Sequence, residues 1–246
     1  MKLILLRHGE SQWNLENRFT GWKDVPLTSI GIQEAKFSGE QLVKNNISID
    51  TIYSSLLERA NHTADIVADI VGFNKNSIKY SWRLNERHYG ALQGLNKSET
   101  ASKFGEEQVK IWRRSYDIPP PLLSEDDHRH PKFNKKFKNI QENLPAGESL
   151  KNVIERLDSF LENYFNFILS NPGSHLIVAH SNSLRAIVKI LEKLSKEEII
   201  SVNIPTGVPL VYKIDKNLNV ISKKYLIDDN TLKKKQESIE NQGKVK

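Results

Sequence analysis

A chain of 246 residues, 38% hydrophobic and 27% charged, can form one α/β domain or at most two small ones around a sizeable core. With no cysteine it has no disulfides, cysteine–zinc sites, thiolate nucleophiles or iron–sulfur clusters. A formal charge of +6 points to an anionic partner, whether nucleic acid, membrane or small phosphate.

The apolar run in residues 1–8 is too short for a signal peptide, and no later run could span a bilayer. The absence of cysteine suits a reducing cytoplasm, and a cytoplasmic protein is expected. Residues 3–6 read as a buried first strand. Thr28 reads as the N-cap of a helix to about residue 45, with Ile32, Ala35, Leu42 and Val43 on its apolar side. Residues 51–54 form a second short strand, followed by a helix over 56–71 that Gly72 stops. The clearest helix spans residues 148–169, where Leu150, Val153, Leu157, Leu161, Tyr164 and Ile168 keep to one stripe. A buried strand at 175–179, a helix at 183–194 and late strands at 209–214 and 220–227 complete the pattern. Strands alternating with amphipathic helices predict a three-layer α/β/α fold: a mostly parallel sheet with helices on both faces.

Residues 95–146 combine charged helices, Pro119-Pro120-Pro121 and a long polar run, and read as an insertion over one end of the sheet. One domain over residues 1–228 is expected. The polar tail at 229–246, including Lys233-Lys234-Lys235 and Gly243-Lys244, is expected to be mobile.

Ligands of open α/β sheets sit outside the carboxyl ends of the strands. Arg7-His8-Gly9 falls where the first strand ends. A lone histidine there is more often satisfied by a backbone carbonyl than catalytic. The strand at 175–179 ends the same way, at His180, before a helix start whose amides could hold an anion. Arg59, early in the helix after the second strand, can reach the same crevice. Two histidines and two arginines at one edge make a phosphate site the better reading. One imidazole would attack phosphorus, and the other, held protonated near the phosphate, would stabilise charge, with no metal required. Gly9 would let backbone approach a ligand closely. His128 and His130 lack the carboxylate spacing of a metal site, and the four tryptophans read as packing anchors.

Leu6-Arg7-His8-Gly9-Glu10-Ser11, followed by Trp13-Asn14 and Thr20-Gly21-Trp22, resembles the opening of the histidine phosphatase superfamily. The run from 82 to 97, which includes Asn85-Glu86-Arg87-His88-Tyr89-Gly90, narrows the resemblance to the cofactor-dependent phosphoglycerate mutases. Trp112-Arg113-Arg114, His180-Ser181-Asn182-Ser183-Leu184-Arg185 and Asn203-Ile204-Pro205-Thr206-Gly207 agree with it. The resemblance implies that His8 is the phosphorylated nucleophile, that Arg7, Arg59 and His180 grip the phosphoryl group, and that Glu86 is the general acid and base. It further implies substrate contacts at Ser11, Asn14, Thr20, Gly21, Tyr89, Lys97, Arg113, Arg114, Ser181 and Asn182. The implied reaction interconverts 3-phosphoglycerate and 2-phosphoglycerate, primed by 2,3-bisphosphoglycerate and without a metal. Its implied partners are small anionic phosphoglycerates, with no nucleic acid or membrane, and a dimer or tetramer of the chain. The alternative is a phosphatase of the same superfamily acting on small phosphate esters. Ser181 stands where this family has Gly, and Gly147 where it has Thr.

Overall fold

The computed structural model describes residues 1–242. Its first half runs β1 (Lys2–Arg7), a single turn α1 (Gln12–Leu15), α2 (Ser29–Lys44), β2 (Thr51–Ser54), α3 (Glu58–Val71) and β3 (Lys79–Tyr80). There follow α4 (Lys97–Phe104), α5 (Glu106–Arg114), α6 (Leu150–Ser170), β4 (Ser174–Ala179) and α7 (Ser181–Glu192). The chain closes with α8 (Glu198–Ser201), β5 (Leu210–Ile214), β6 (Val220–Tyr225) and α9 (Asp229–Glu240).

Successive side chains of a strand point to opposite faces, and β1 uses both. Leu3 and Leu5 pack with α6 and α7, while Ile4 and Leu6 pack with α2 and α3; all four are fully buried. β4 divides its residues in the same way, Ile177 and Ala179 against Leu176 and Val178. A sheet buried on both faces needs a helical layer on each, which is the three-layer fold expected. The strand order is β3-β2-β4-β1-β5-β6. The first four run parallel, and β5 is antiparallel to both of its neighbours. In this register Arg7 lies opposite Ala179 and Ser54 opposite Val178, so three strands end at one level.

Local chemistry sets most boundaries. The Thr28 hydroxyl accepts from the Gly31 amide at 3.0 Å, Ser149 caps α6 in the same way, and Gly72 ends α3 in the left-handed region at φ 72°. α2 differs from the reading of its apolar side. Val43 is 52% exposed, and the buried face is Gly31, Ala35, Ser38, Gly39 and Leu42. Closeness decides this: a Cβ on Gly39 would sit 2.9 Å from the Ile70 Cβ of α3.

In the expected insertion, α4 and α5 pack Ala101 and Val109 on Phe19 and Leu92. Phe137, in a later 3₁₀ turn, is buried against Trp22 and Leu57. The polar tail carries a helix that its sequence pattern does not announce. Residues 229–240 are helical, opened by Asp228, whose carboxylate accepts from the Thr231 amide at 2.9 Å. No side chain of α9 is buried, so polar contacts hold it. Lys235 Nζ meets Glu34 Oε1 at 2.6 Å and Gln236 donates to the Asn203 carbonyl at 3.2 Å. Gly243 and Lys244 lie outside the described residues. Among the described residues, no helix is long and apolar enough to cross a membrane.

Candidate active site

His8, Ser55 and His180 each follow the last residue of a strand, and the register gathers them at one sheet edge. The two imidazole centroids are 4.9 Å apart. His8 Nδ1 lies 2.7 Å from the Gly9 carbonyl oxygen. A carbonyl only accepts, so Nδ1 carries the proton and Nε2 keeps its lone pair. Arg59 Nε donates to that Nε2 at 3.2 Å. Burial above all, then the charges of Arg59 and Arg7, hold His8 well below the ordinary imidazole value. The unprotonated form is favoured, and an Nε2 lone pair released by Arg59 can act as a nucleophile.

His180 is fully buried, with Nε2 2.7 Å from the Ser55 hydroxyl. Burial, then Arg59, His8 and Arg7, push it well below the ordinary value too. Burial above all thus disfavours the charged form of His180 in the ligand-free site, whereas a phosphate brought beside it would favour the proton, as its expected role requires. Ser55 escaped the sequence reading. Its signal was positional, a third polar residue after a third strand.

The Arg59 guanidinium also donates to the Gly21 carbonyl at 2.9 Å and the Lys23 carbonyl at 3.1 Å. Gly21 sits at φ 56°, and a Cβ there would lie 3.2 Å from the Tyr89 nitrogen, so the loop at 20–23 needs its glycine. Gly9 serves differently from its expected role. What it admits is α2, since a Cβ on Gly9 would lie 2.1 Å from the Gly31 carbonyl oxygen.

Arg7, His8, Asn14, Thr20, Arg59, Glu86, Tyr89, Lys97, Arg113, Arg114, Ser181 and Asn182 line one pocket. Three of the residues read from sequence do not. Ser11 is buried and caps α1. Gly21 contributes its carbonyl to Arg59, and His180 lies beneath beside His8. Arg113 and Arg114 both line the pocket because they are the last two residues of α5. Arg18, Arg185, Ile239 and Gln242 complete the lining and were not anticipated. The last two belong to the segment read as a mobile tail: Lys97 Nζ donates to Gln242 Oε1 at 3.3 Å, and Arg113 donates to the Ile239 carbonyl at 3.3 Å and to that of Gln242.

Glu86 is the one carboxylate among these lining residues. Its Oε1 accepts from the amides of Arg87 at 2.8 Å and Asn182 at 3.0 Å. The start of α7, expected to hold a ligand's anion, therefore donates its Asn182 amide to the protein's own carboxylate. Around it the cations are crowded. Burial first, then neighbouring cations, bring Arg113 to about 10 and Arg185 to about 9, and hold Lys97 well below the ordinary lysine value. Arg7 and Arg185 each keep a buried Nε with no partner among the described residues. Crowded cations with unused donors of this kind can receive a polyanion.

Two predictions arise here. Ser181 is the first residue of α7, and left-handed backbone at non-glycine residues is confined, among the described residues, to Asn17, Asn46, Lys193 and Leu218. Ser181→Gly should then change stability by less than about 1 kcal/mol and leave turnover within a few-fold. A variant more than about tenfold faster would reveal strain at Ser181. The second concerns acid. Burial first, then His130 and Arg156, push His88 down to about 3. Between there and the ordinary value of about 6.5 the unfolded chain binds a proton that the folded chain refuses, so stability is lost as pH falls. From pH 7 to pH 5, His88 alone should cost about 2 kcal/mol, with His8 and His180 acting in the same direction. Urea unfolding at the two pH values measures this, and equal free energies would refute it.

Two histidines and a cluster of arginines thus share one edge of an α/β sheet. The family model of the histidine phosphatase superfamily (branch 1) matches residues 3–224, and the chain belongs to that superfamily. A 2,3-bisphosphoglycerate-dependent phosphoglycerate mutase of Hydrogenobaculum sp. is 51% identical over 244 residues, 99% of each chain. Its counterpart of the same name from Treponema denticola is 51% identical over 247 residues, covering both chains fully. Among solved structures, a mycobacterial glucosyl-3-phosphoglycerate phosphatase superposes with TM-score 0.67 at 22% identity, over 86% of this chain and 92% of the other. The alpha-ribazole phosphatase from Shigella flexneri gives TM-score 0.65 at 22% identity, over 89% and 93%. At such identities the structures speak to the fold alone.

Proposed function

We propose that this chain interconverts 3-phosphoglycerate and 2-phosphoglycerate through a phosphohistidine at His8. One observation carries the reading. The sheet-edge cations Arg7 and Arg59 share one pocket with a second set, Lys97, Arg113 and Arg114, delivered by α4 and α5. A phosphatase that removes one phosphoryl group needs only the first set, whereas a substrate anionic at both ends engages both. The names of the relatives about 50% identical over the full chain support the same activity.

His8 Nε2 attacks phosphorus; the P–O bond breaks as the P–N bond forms, and Glu86 gives its proton to the leaving oxygen. In the return step Glu86 takes the proton of the attacking hydroxyl as the P–N bond breaks. Arg7, Arg59 and His180 stabilise the charge spread over the phosphoryl oxygens. The unpartnered Nε atoms of Arg7 and Arg185 fit a doubly phosphorylated ligand. When bound, 2,3-bisphosphoglycerate supplies the phosphoryl group that primes His8. With cations in this role the reaction has no need of a metal. The resemblance and the cysteine-free composition support a cytoplasmic enzyme of glycolysis and gluconeogenesis, dimeric or tetrameric.

A coupled assay on 3-phosphoglycerate tests the reading. Turnover should depend on catalytic amounts of 2,3-bisphosphoglycerate and be unchanged by chelator. Release of inorganic phosphate without isomerisation would favour the phosphatase alternative. Loss of activity in chelator, restored by manganese, would point to a different chemistry altogether.

A further inference from the structure

Glu86 lies in a stretch of irregular chain. After a 3₁₀ turn at Trp82–Leu84, residues 85–89 have no regular secondary structure, so their peptide groups need partners from elsewhere. Two buried residues that form an ion pair supply four of them. Arg156, on α6, uses its whole guanidinium. Nε donates to Glu148 Oε1 at 2.7 Å. Nη1 donates to the carbonyls of Trp82 at 3.3 Å and Arg83 at 2.5 Å. Nη2 donates to the carbonyls of Asn85 at 3.2 Å and Glu86 at 3.3 Å, and to Glu148 Oε2 at 3.2 Å. Glu148 completes the clamp. Its Oε2 accepts from the His88 amide at 2.8 Å, and its own amide donates to the His88 carbonyl at 2.8 Å. The Trp22 indole adds a 2.5 Å bond to the Glu86 carbonyl.

The pair thus fixes the main chain on both sides of Glu86, at 85, 86 and 88. Neither Arg156 nor Glu148 lines the pocket, and both are more than nine-tenths buried. An arginine and a glutamate out of water are costly unless their geometry is used. Here it is used on the one loop that carries the pocket's carboxylate. We infer that Arg156 and Glu148 are positioning residues that set where the Glu86 carboxylate stands. Disturbing them slows proton transfer far more than it weakens substrate binding. The inference rests on the acid–base role proposed above for Glu86.

The test exploits leaving groups. Transfer from a phosphoglycerate needs a proton for the departing alkoxide, whereas 4-nitrophenyl phosphate expels a stable phenolate and needs none. A structural defect at His8 or the cations slows both; a misplaced acid slows only the first. Arg156→Met leaves Glu148 buried without its partner, so the double variant Arg156→Met/Glu148→Gln, which removes both charges, guards against misfolding. Glu86→Gln is the reference. The Arg156 variants should lose about 10²-fold in kcat for 3-phosphoglycerate, the scale of a displacement near 1 Å, with KM within about twofold. The burst of nitrophenolate that accompanies His8 phosphorylation should stay within about threefold of the unmodified chain. Equal loss in both reactions, or none in either, while Glu86→Gln loses only the first, overturns the positioning role alone. Should Glu86→Gln itself show no selective loss, its acid–base role falls and the inference with it.

Discussion

His8→Ala should abolish the acid-labile phosphoryl adduct that 2,3-bisphosphoglycerate leaves on the chain and lower mutase turnover by about 10⁵-fold or more, as removal of an obligate nucleophile does. The structure separates His8 from His180, which shares its burial and its depressed basicity. His8 has its proton committed to the Gly9 carbonyl, so Nε2 presents a lone pair, and the residue lines the pocket. Both Nε2 atoms have a hydrogen-bond partner, Arg59 for His8 and Ser55 for His180, but His180 is fully buried and does not line the pocket, so a ligand meets His8 alone. His180→Ala should therefore still form the adduct, more slowly, with the label on His8. Mass spectrometry of peptides handled at alkaline pH, where phosphohistidine survives, locates it. An acid-stable adduct, or a label on the His8→Ala protein, would falsify the assignment. Binding should outlast the loss of chemistry, because Arg7, Arg59, Lys97, Arg113 and Arg114 remain. A thermal shift with 2,3-bisphosphoglycerate should persist in His8→Ala.

The fold's centre was legible because its signal is periodic. Leu3 to Leu6 and Leu176 to Ala179 are apolar on both faces, and that alone demands helices above and below. The site was legible where residues follow strand ends, as His8 and His180 do, and where a motif carries the resemblance, as at Glu86. What was missed lacks either mark. Arg156 sits in the apolar stripe of α6 as a cation, and its partners are carbonyls some 70 positions away along the chain. Arg185 lies within a quoted motif, but nothing in its spacing says that it reaches the pocket. α9 has only two apolar residues, Leu232 and Ile239, seven residues apart and both half-buried. Its attachment through Lys235, Gln236 and the carbonyls of residues 239 and 242 leaves no hydrophobic trace. Gly9 shows how one small residue can carry a demand that a motif does not reveal: the close pass of α2, where a Cβ would lie 2.1 Å from the Gly31 carbonyl oxygen.

Glu86→Gln should lower kcat by about 10²- to 10⁴-fold, the usual worth of a positioned acid and base. The substitution is close to isosteric where it matters. Oε1 holds the Arg87 and Asn182 amides, and a glutamine oxygen can accept both, leaving its NH₂ in place of Oε2. Position is kept and basicity is lost. The loss corresponds to about 3–5 kcal/mol of barrier, more than the departure of one hydrogen bond explains. Binding should move the other way. Among the described residues that line the pocket, Glu86 is the one carboxylate against seven arginines and lysines. Its neutralisation removes repulsion toward the polyanion, so KM for 3-phosphoglycerate should hold or fall while kcat collapses. The phosphohistidine should form slowly and then persist, since the accepting hydroxyl also loses its base. Rapid-quench labelling would show a long-lived adduct on His8. A Glu86→Gln enzyme turning over within tenfold of the unmodified chain would require another base. The pocket lining offers no second carboxylate for that task, and Tyr89 would be the next group to test.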